Sequence, residues 1–137
     1  MSPSPPPPPS QSGGQQIHIL VLEDEPAVQT LLKKQLQAHG FKVTVAADGL
    51  DGLMKLEQLQ PDLMICDVMM PNLDGIEFVR AIKNNQITQK IPVIFLTAKT
   101  DPRSMIDGIN VGARFYVTKP FAIDDLLSKV SRALSGK

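Results

Sequence analysis

The 137-residue sequence predicts a doubly wound α/β sandwich, with five strand-then-helix units built on a parallel five-stranded sheet. Three observations predict it. Short apolar runs alternate with helical stripes five times from Ile17 onward. Runs such as IHILVL (17–22), LMIC (63–66) and IPVIFL (91–96) lack polar alternation, as strands covered on both faces do. Prolines, glycines and aspartates punctuate the boundaries where helices must start or stop. Right-handed crossovers between parallel strands then place helices on both faces of the sheet.

The elements follow in order. Ile17 to Leu22 reads as a buried strand. Pro26 suits the first helical position, behind Asp24 and Glu25. Val28, Leu31, Leu32 and Leu36 make a helical stripe that Gly40 ends. Phe41 to Ala46 is the second strand. Asp48 can cap a helix carrying Leu50, Leu53, Met54 and Leu56, stopped before Pro61. Leu63 to Cys66 is the third strand. Gly75 serves the turn into a third helix marked by Ile76, Val79 and Ile82. Ile91 to Leu96 is the fourth strand. Asp101 and Pro102 start a helix with Met105, Ile106 and Ile109, closed at Gly112. Phe115 to Val117 is a short fifth strand, and Leu126, Leu127, Val130 and Leu134 form the last stripe.

Residues 1–16 stand outside this pattern. The stretch carries no charge, and six of the chain's 12 prolines fall at positions 3, 5, 6, 7, 8 and 9. Such a segment buries too little surface to offset its ordering entropy, so a disordered Pro-rich tail is expected ahead of a domain over 17–137. A ligand for an aromatic groove is the other use of such a composition. Lys+Arg and Asp+Glu both number 14, a balance that argues against nucleic acid as a partner. The single cysteine, Cys66, excludes an internal disulfide and a Cys-rich zinc site, and is read as a small core residue. His18 and His39 are expected to be exposed, without a partner at metal-ligand spacing. No apolar run is long enough for a membrane span and no secretory signal is visible, so a cytoplasmic protein without a membrane partner is expected.

The polar residues at the strand ends carry the chemistry. In a parallel sheet all carboxyl ends lie along one edge, where ligands of such folds bind. Glu23 and Asp24 follow the first strand, Asp67 the third, Thr97 the fourth and Lys119 the fifth. Uncompensated carboxylates would repel each other, and a hard cation such as Mg²⁺ relieves this with carboxylates, waters and phosphate oxygens as ligands. Lys119 offers a point charge and Thr97 a hydroxyl to a phosphoryl group. The set reads as a phosphoryl-transfer site with an aspartate nucleophile. No Gly-rich phosphate loop occurs, so a nucleoside triphosphate is not the expected donor. Each residue also has a plainer use: Asp67, Glu23 and Asp24 as helix caps, Lys119 as a surface lysine, Thr97 as a core-edge threonine.

Four motifs sit at these strand ends. They are Leu22-Glu23-Asp24-Glu25, Asp67-Val68-Met69-Met70-Pro71 with Asp74-Gly75, Leu96-Thr97-Ala98, and Lys119-Pro120-Phe121. Together they resemble the response-regulator receiver domain of two-component signalling, from Ile17 to about Leu134. The resemblance implies a flavodoxin-like (βα)5 sandwich with strand order 2-1-3-4-5. It implies that Asp67 is the phosphoacceptor, served by a sensor histidine kinase or a phosphotransfer protein. Glu23 and Asp24 would hold Mg²⁺ directly or through water, with Asp67 and the main-chain carbonyl of Met69 as further ligands. Thr97 and Lys119 would contact the phosphoryl group, and Lys119-Pro120 would be a cis peptide. Thr97 and Tyr116 would be the switch pair, the aromatic swinging inward as the hydroxyl moves; Tyr116 as a half-buried packing residue is the alternative. The switch would reshape the face of the fourth helix, fifth strand and fifth helix and so control an unidentified downstream protein.

Two departures bear on detail. Arg114-Phe115 stands where many dimerising receivers carry acidic residues, so a monomer or a weak phosphorylation-dependent dimer is expected. Met69 and Lys99 occupy the positions two residues after Asp67 and Thr97 that tune hydrolysis in the family, and they imply a phosphorylated state lasting minutes or longer. The domain would catalyse only its own phosphorylation and dephosphorylation. Two other functions compete. A degenerate receiver would act as a constitutive binding module. A phosphohydrolase would need a general acid two residues after the nucleophile, where Met69 cannot donate a proton. Only Ser135, Gly136 and Lys137 follow Leu134, which leaves a stand-alone receiver and a piece of a longer protein both open.

Overall fold

The computed structural model describes residues 16–98 and 102–135. The predicted tail up to residue 15, Lys99, Asp101 and the side-chain packing of Met105 lie outside the described residues. Ten elements alternate: β1 (His18–Leu22), α1 (Pro26–Ala38), β2 (Lys42–Ala46), α2 (Gly49–Leu56), β3 (Leu63–Asp67), α3 (Gly75–Lys83), β4 (Val93–Ala98), α4 (Pro102–Val111), β5 (Phe115–Lys119) and α5 (Ile123–Ser135). All strand pairs are parallel and the order is β2-β1-β3-β4-β5, as the resemblance implies.

The central strands β1, β3 and β4 are mostly apolar because both of their faces are covered, whereas the edge strands β2 and β5 carry Lys42, Thr44, Thr118 and Lys119. Ile19 and Val21 of β1 join Ile65, Ile94 and the buried residues of α1 and α5 on one side. Leu20 and Leu22 join Met64, Cys66, Phe95 and the α3 residues Phe78, Val79 and Ile82 on the other. Fully burying one such side chain stabilises by about 1.5–3 kcal/mol, so the central strands, with apolar residues on both faces, anchor the sheet. Every residue of β3 is buried, including the terminal Asp67.

Local signals explain the boundaries. Pro26 opens α1, and Gly40 (φ 90°) and Gly112 (φ 108°) take the left-handed conformation that follows α1 and α4. Asp48 caps α2 through the Asp51 amide at 2.8 Å. Asp74 caps α3 through the Glu77 amide at 2.9 Å, a role the sequence reading does not assign. The fourth strand begins two residues later than predicted, at Val93, because Pro92 has no amide proton to give the ladder.

Other departures concern faces. Leu50 and Met54, predicted to line the core side of α2, are 51% and 66% exposed. Leu53 and Leu56 of the predicted stripe do pack against the core, and the fully buried positions of α2 beside them are Gly49 and Gly52. A Cβ at Gly52 would come within 2.5 Å of Leu22 Cδ2 and 3.0 Å of Phe78 Cε1, so the helix sits too close for larger side chains there. Leu31, Ile106 and Ile109 of the predicted stripes are also exposed. The histidines are half-buried, not exposed. His18 Nε2 shares a 2.7 Å hydrogen bond with Thr44 Oγ1, and His39 Nδ1 donates to the Gln35 carbonyl at 2.9 Å.

Candidate functional site

Parallel pairing brings the predicted residues to one edge. Leu22 pairs with Cys66, Asp67 with Leu96, Thr97 with Thr118 and Ala98 with Lys119. The residues after β1 and at the ends of β3, β4 and β5 are therefore neighbours although they span nearly the whole chain.

At the centre stands Asp67. Its Oδ2 lies 2.7 Å from Lys119 Nζ, and its Oδ1 accepts the Met69 amide at 3.1 Å. Asp67 does not cap α3; Asp74 does. Glu23 is fully buried. Its Oε2 accepts the Glu25 amide at 3.0 Å, which turns the chain toward α1. Its Oε1 lies 3.0 Å from Lys119 Nζ without hydrogen-bond alignment, so it is charge-paired yet lacks a hydrogen-bond partner. Asp24 is exposed at the rim. Oxygens of Glu23, Asp24 and Asp67 all come within 4.8 Å of one another. Thr97 is fully buried, and its Oγ1 has no hydrogen-bond partner. The Lys119-Pro120 peptide is cis, as the resemblance implies.

Electrostatics follow from this packing. Burial pushes the Glu23 carboxyl up to about 7, with the Asp67 charge adding to it and the Glu25 amide and Lys119 opposing it. Burial works against the Lys119 charge, but its hydrogen bond to Asp67 and its charge pairing with Glu23 outweigh that and raise its pKa. The Cys66 thiol is pushed well up by burial and by the charges of Asp67, Asp74 and Glu23, which keeps it protonated and inert as a core residue.

Of the predicted site residues, the structure gathers Glu23, Asp24, Asp67 and Lys119 into direct proximity. Met69 belongs to the same loop, with its side chain exposed and its amide on Asp67. Tyr116 is half-buried on β5, opposite Phe95, and packs with the core on the side of α3. Sequence reasoning gave Glu25 no role, yet its Oε1 is 3.7 Å from Lys119 Nζ, so this lysine faces three carboxylates. Its place one residue beyond the acidic pair was the available signal.

An acidic pocket with an embedded lysine, at the carboxyl edge of a 2-1-3-4-5 sheet, defines the class of phosphate-handling receivers. The family model for the response regulator receiver domain matches residues 19–131, and the chain belongs to that family. Such domains are phosphorylation-dependent signalling switches rather than enzymes on an external substrate; histidine kinases phosphorylate them and they regulate downstream partners. The chain is 39% identical over 116 residues to the DNA-binding dual master transcriptional regulator RpaA of Synechocystis, covering 85% of this chain and 48% of that one. It spans about half the length of the curated relatives it matches. Among solved structures, the chemotaxis regulator CheY4 of Vibrio cholerae matches with a TM-score of 0.82 and 32% identity, over 88% of this chain and all of that one. The receiver domain of the sensor histidine kinase PA1611 of Pseudomonas aeruginosa, solved with a magnesium ion in its active-site cleft, matches at 0.83 and 29% identity, over 89% of this chain and 100% of that one. No helix among the described residues is long and apolar enough to cross a membrane.

Proposed function

We propose that the chain is a switch that accepts a phosphoryl group on Asp67 from a histidine kinase or phosphotransfer protein in the cytoplasm. The observation that carries this is the Asp67 carboxylate, buried at the end of β3 and held between Lys119 Nζ and the Met69 amide. An Asp67 oxygen attacks phosphorus as the bond from phosphorus to the donor's imidazole nitrogen breaks, and that nitrogen keeps the electron pair. Lys119 balances charge on the phosphoryl oxygens, and Thr97 donates its hydroxyl hydrogen to one of them. In dephosphorylation water attacks phosphorus, the bond from phosphorus to the Asp67 oxygen breaks, and inorganic phosphate leaves with the carboxylate restored.

The donor set fits Mg²⁺. Three carboxylates crowd one point, and Glu23 Oε1 lacks a hydrogen-bond partner. Glu23, Asp24, Asp67 and the Met69 carbonyl would hold it. Its chemistry there is to neutralise the oxygens of the incoming group. Thr97 and Tyr116 then form the switch pair, and the α4–β5–α5 face changes to recruit or release a partner protein. The unpartnered, buried Thr97 hydroxyl supports this: it has no competing bond to break before turning to a phosphoryl oxygen. The protein works as a monomer or a weak phosphorylation-dependent dimer, and its phosphorylated state lasts minutes or longer.

Incubation with Mg²⁺ and phosphoramidate tests the reading. The intact protein gains the mass of one phosphoryl group, and Asp67→Ala does not. Equal labelling of Asp67→Ala would overturn it. A failure of both phosphoramidate and beryllofluoride to act on the intact protein would favour the constitutive binding module.

A further inference from the structure

The loop from β3 to α3 starts directly after Asp67 and carries Met69, and a side chain farther along it reaches across to α2. We propose that Asp48 and Asn72 form a clasp that positions this loop for Mg²⁺, a proposal that rests on the metal reading above. Asn72 Nδ2 donates to Asp48 Oδ2 at 2.7 Å. The other Asp48 oxygen accepts the Asp51 amide, so one carboxylate joins the α2 cap to the loop. Asn72 has φ 69°, the left-handed conformation that asparagine tolerates better than other residues with side chains. Beside it the Gly49 amide donates to the Leu73 carbonyl at 3.2 Å, and a Cβ at Gly49 would overlap that oxygen. The two contacts sit side by side, one from a side chain and one from the main chain.

The need for such a clasp is visible in burial. Val68 and Met70 are buried and anchor the first half of the loop. Met69, Pro71 and Asn72 are exposed. At the far end the Gly75 amide returns to the Val68 carbonyl at 2.9 Å. Leu73 packs against the core on the side of α3, so the turn at Pro71 and Asn72, between Met70 and Leu73, is the part without an apolar anchor. The Asp48–Asn72 bond ties this exposed turn to the start of α2, beside the main-chain bond from Gly49 to Leu73. Neither residue belongs to the group of three close carboxylates, so both act through the loop as positioning residues.

The test titrates the protein with MgCl2 and follows the Met69 amide by nuclear magnetic resonance, beside a thermal melt of each variant. Asn72→Asp puts two carboxylates face to face and should weaken Mg²⁺ binding about fivefold. Asn72→Gly tolerates the left-handed backbone, removes the side chain that makes the bond, and should weaken it similarly. The swap Asp48→Asn with Asn72→Asp restores the bond in reverse, since an asparagine side chain can still cap α2, and should bring the affinity back to within about twofold. Affinities unchanged in both single variants, or no recovery in the swap, would overturn the clasp while leaving Asp67 phosphorylation standing. No Mg²⁺ response in the intact protein would overturn the clasp and the metal reading together. Normal Mg²⁺ effects with no labelling of Asp67 would sink the phosphoacceptor reading and leave the clasp in place.

Discussion

Two lysines at opposite edges of the sheet are both half-buried, and they meet different partners. Lys83, at the end of α3, donates to the main-chain carbonyls of Gln89 at 3.0 Å and Ile91 at 3.2 Å. Lys119, at the end of β5, faces the carboxylates of Asp67, Glu23 and Glu25. Burial, then the charge of Arg114, lowers the Lys83 pKa, whereas the carboxylates raise that of Lys119. Two buried threonines repeat the contrast. Thr88 Oγ1 donates to the Ile82 carbonyl at 2.7 Å, while Thr97 Oγ1 has no hydrogen-bond partner. At the amino edge Lys83 and Thr88 close loops on neutral main-chain carbonyls. At the carboxyl edge they are held in mutual tension, short of hydrogen bonds and rich in like charge. That arrangement leaves groups ready for a ligand.

The largest break in this comparison should come from the lysines. Lys119→Met leaves buried Glu23 and Asp67 without their cation. In metal-free buffer it should cost about 2 kcal/mol in urea unfolding, and added Mg²⁺ should recover most of that. Lys83→Met should cost about 1 kcal/mol, the same with or without Mg²⁺. A Lys119 variant whose stability ignores Mg²⁺ would show that the two edges do not differ in kind.

The threonines give a smaller contrast. Thr88→Val strands the buried Ile82 carbonyl and should cost about 1–2 kcal/mol. Thr97→Val removes a hydroxyl that lacks a hydrogen bond and should be within about 0.5 kcal/mol of neutral in the resting state. The same Thr97 change should blunt the response of the Tyr116 resonances to beryllofluoride, which Thr88→Val leaves alone. A Thr97→Val cost as large as that of Thr88→Val would mean that the resting hydroxyl is bonded.

Why some of this was legible before the structure, and some not, follows from the same physics. A strand buried on both faces must be apolar at every position, so β1, β3 and β4 announce themselves. Parallel strands end at one edge, so Glu23, Asp67, Thr97 and Lys119 could be brought together from chain order alone. Leu53 and Leu56 of α2 were read correctly, but Leu50 and Met54 were misplaced because periodicity weighs large apolar side chains. Gly49 and Gly52 allow a closer approach than any of them, and this turns Leu50 and Met54 outward. Asn72 carried a turn signal, but its partner Asp48 lies 24 residues away in another loop, and no local pattern records that contact. His18 was misread for a similar reason, since its partner belongs to the neighbouring strand.

That histidine supplies the smallest prediction, at the quiet edge. His18 hydrogen-bonds Thr44, with the Lys42 and Asp62 charges nearby. Burial, then Lys42, lowers its pKa from 6.5, and Asp62 opposes the shift. The unfolded chain therefore takes up this proton at a higher pH than the folded one. The neutral form's contribution is fully present above about pH 6.5 and is lost as pH falls through the lower folded value. His18→Gln keeps a hydrogen-bonding group without the titration. The stability of the unaltered protein relative to this variant should be flat above about pH 7.5 and fall by a few tenths of a kcal/mol in mildly acidic buffer, because solvent screens a half-exposed ring. Urea unfolding from pH 8 to 5 measures it (range chosen to bracket the ordinary histidine value). A difference that stays flat across the range would mean that Asp62 fully offsets burial and Lys42. A difference that rises on acidification would mean that Asp62 wins, and the amino edge would then hold a charged pair as the carboxyl edge does.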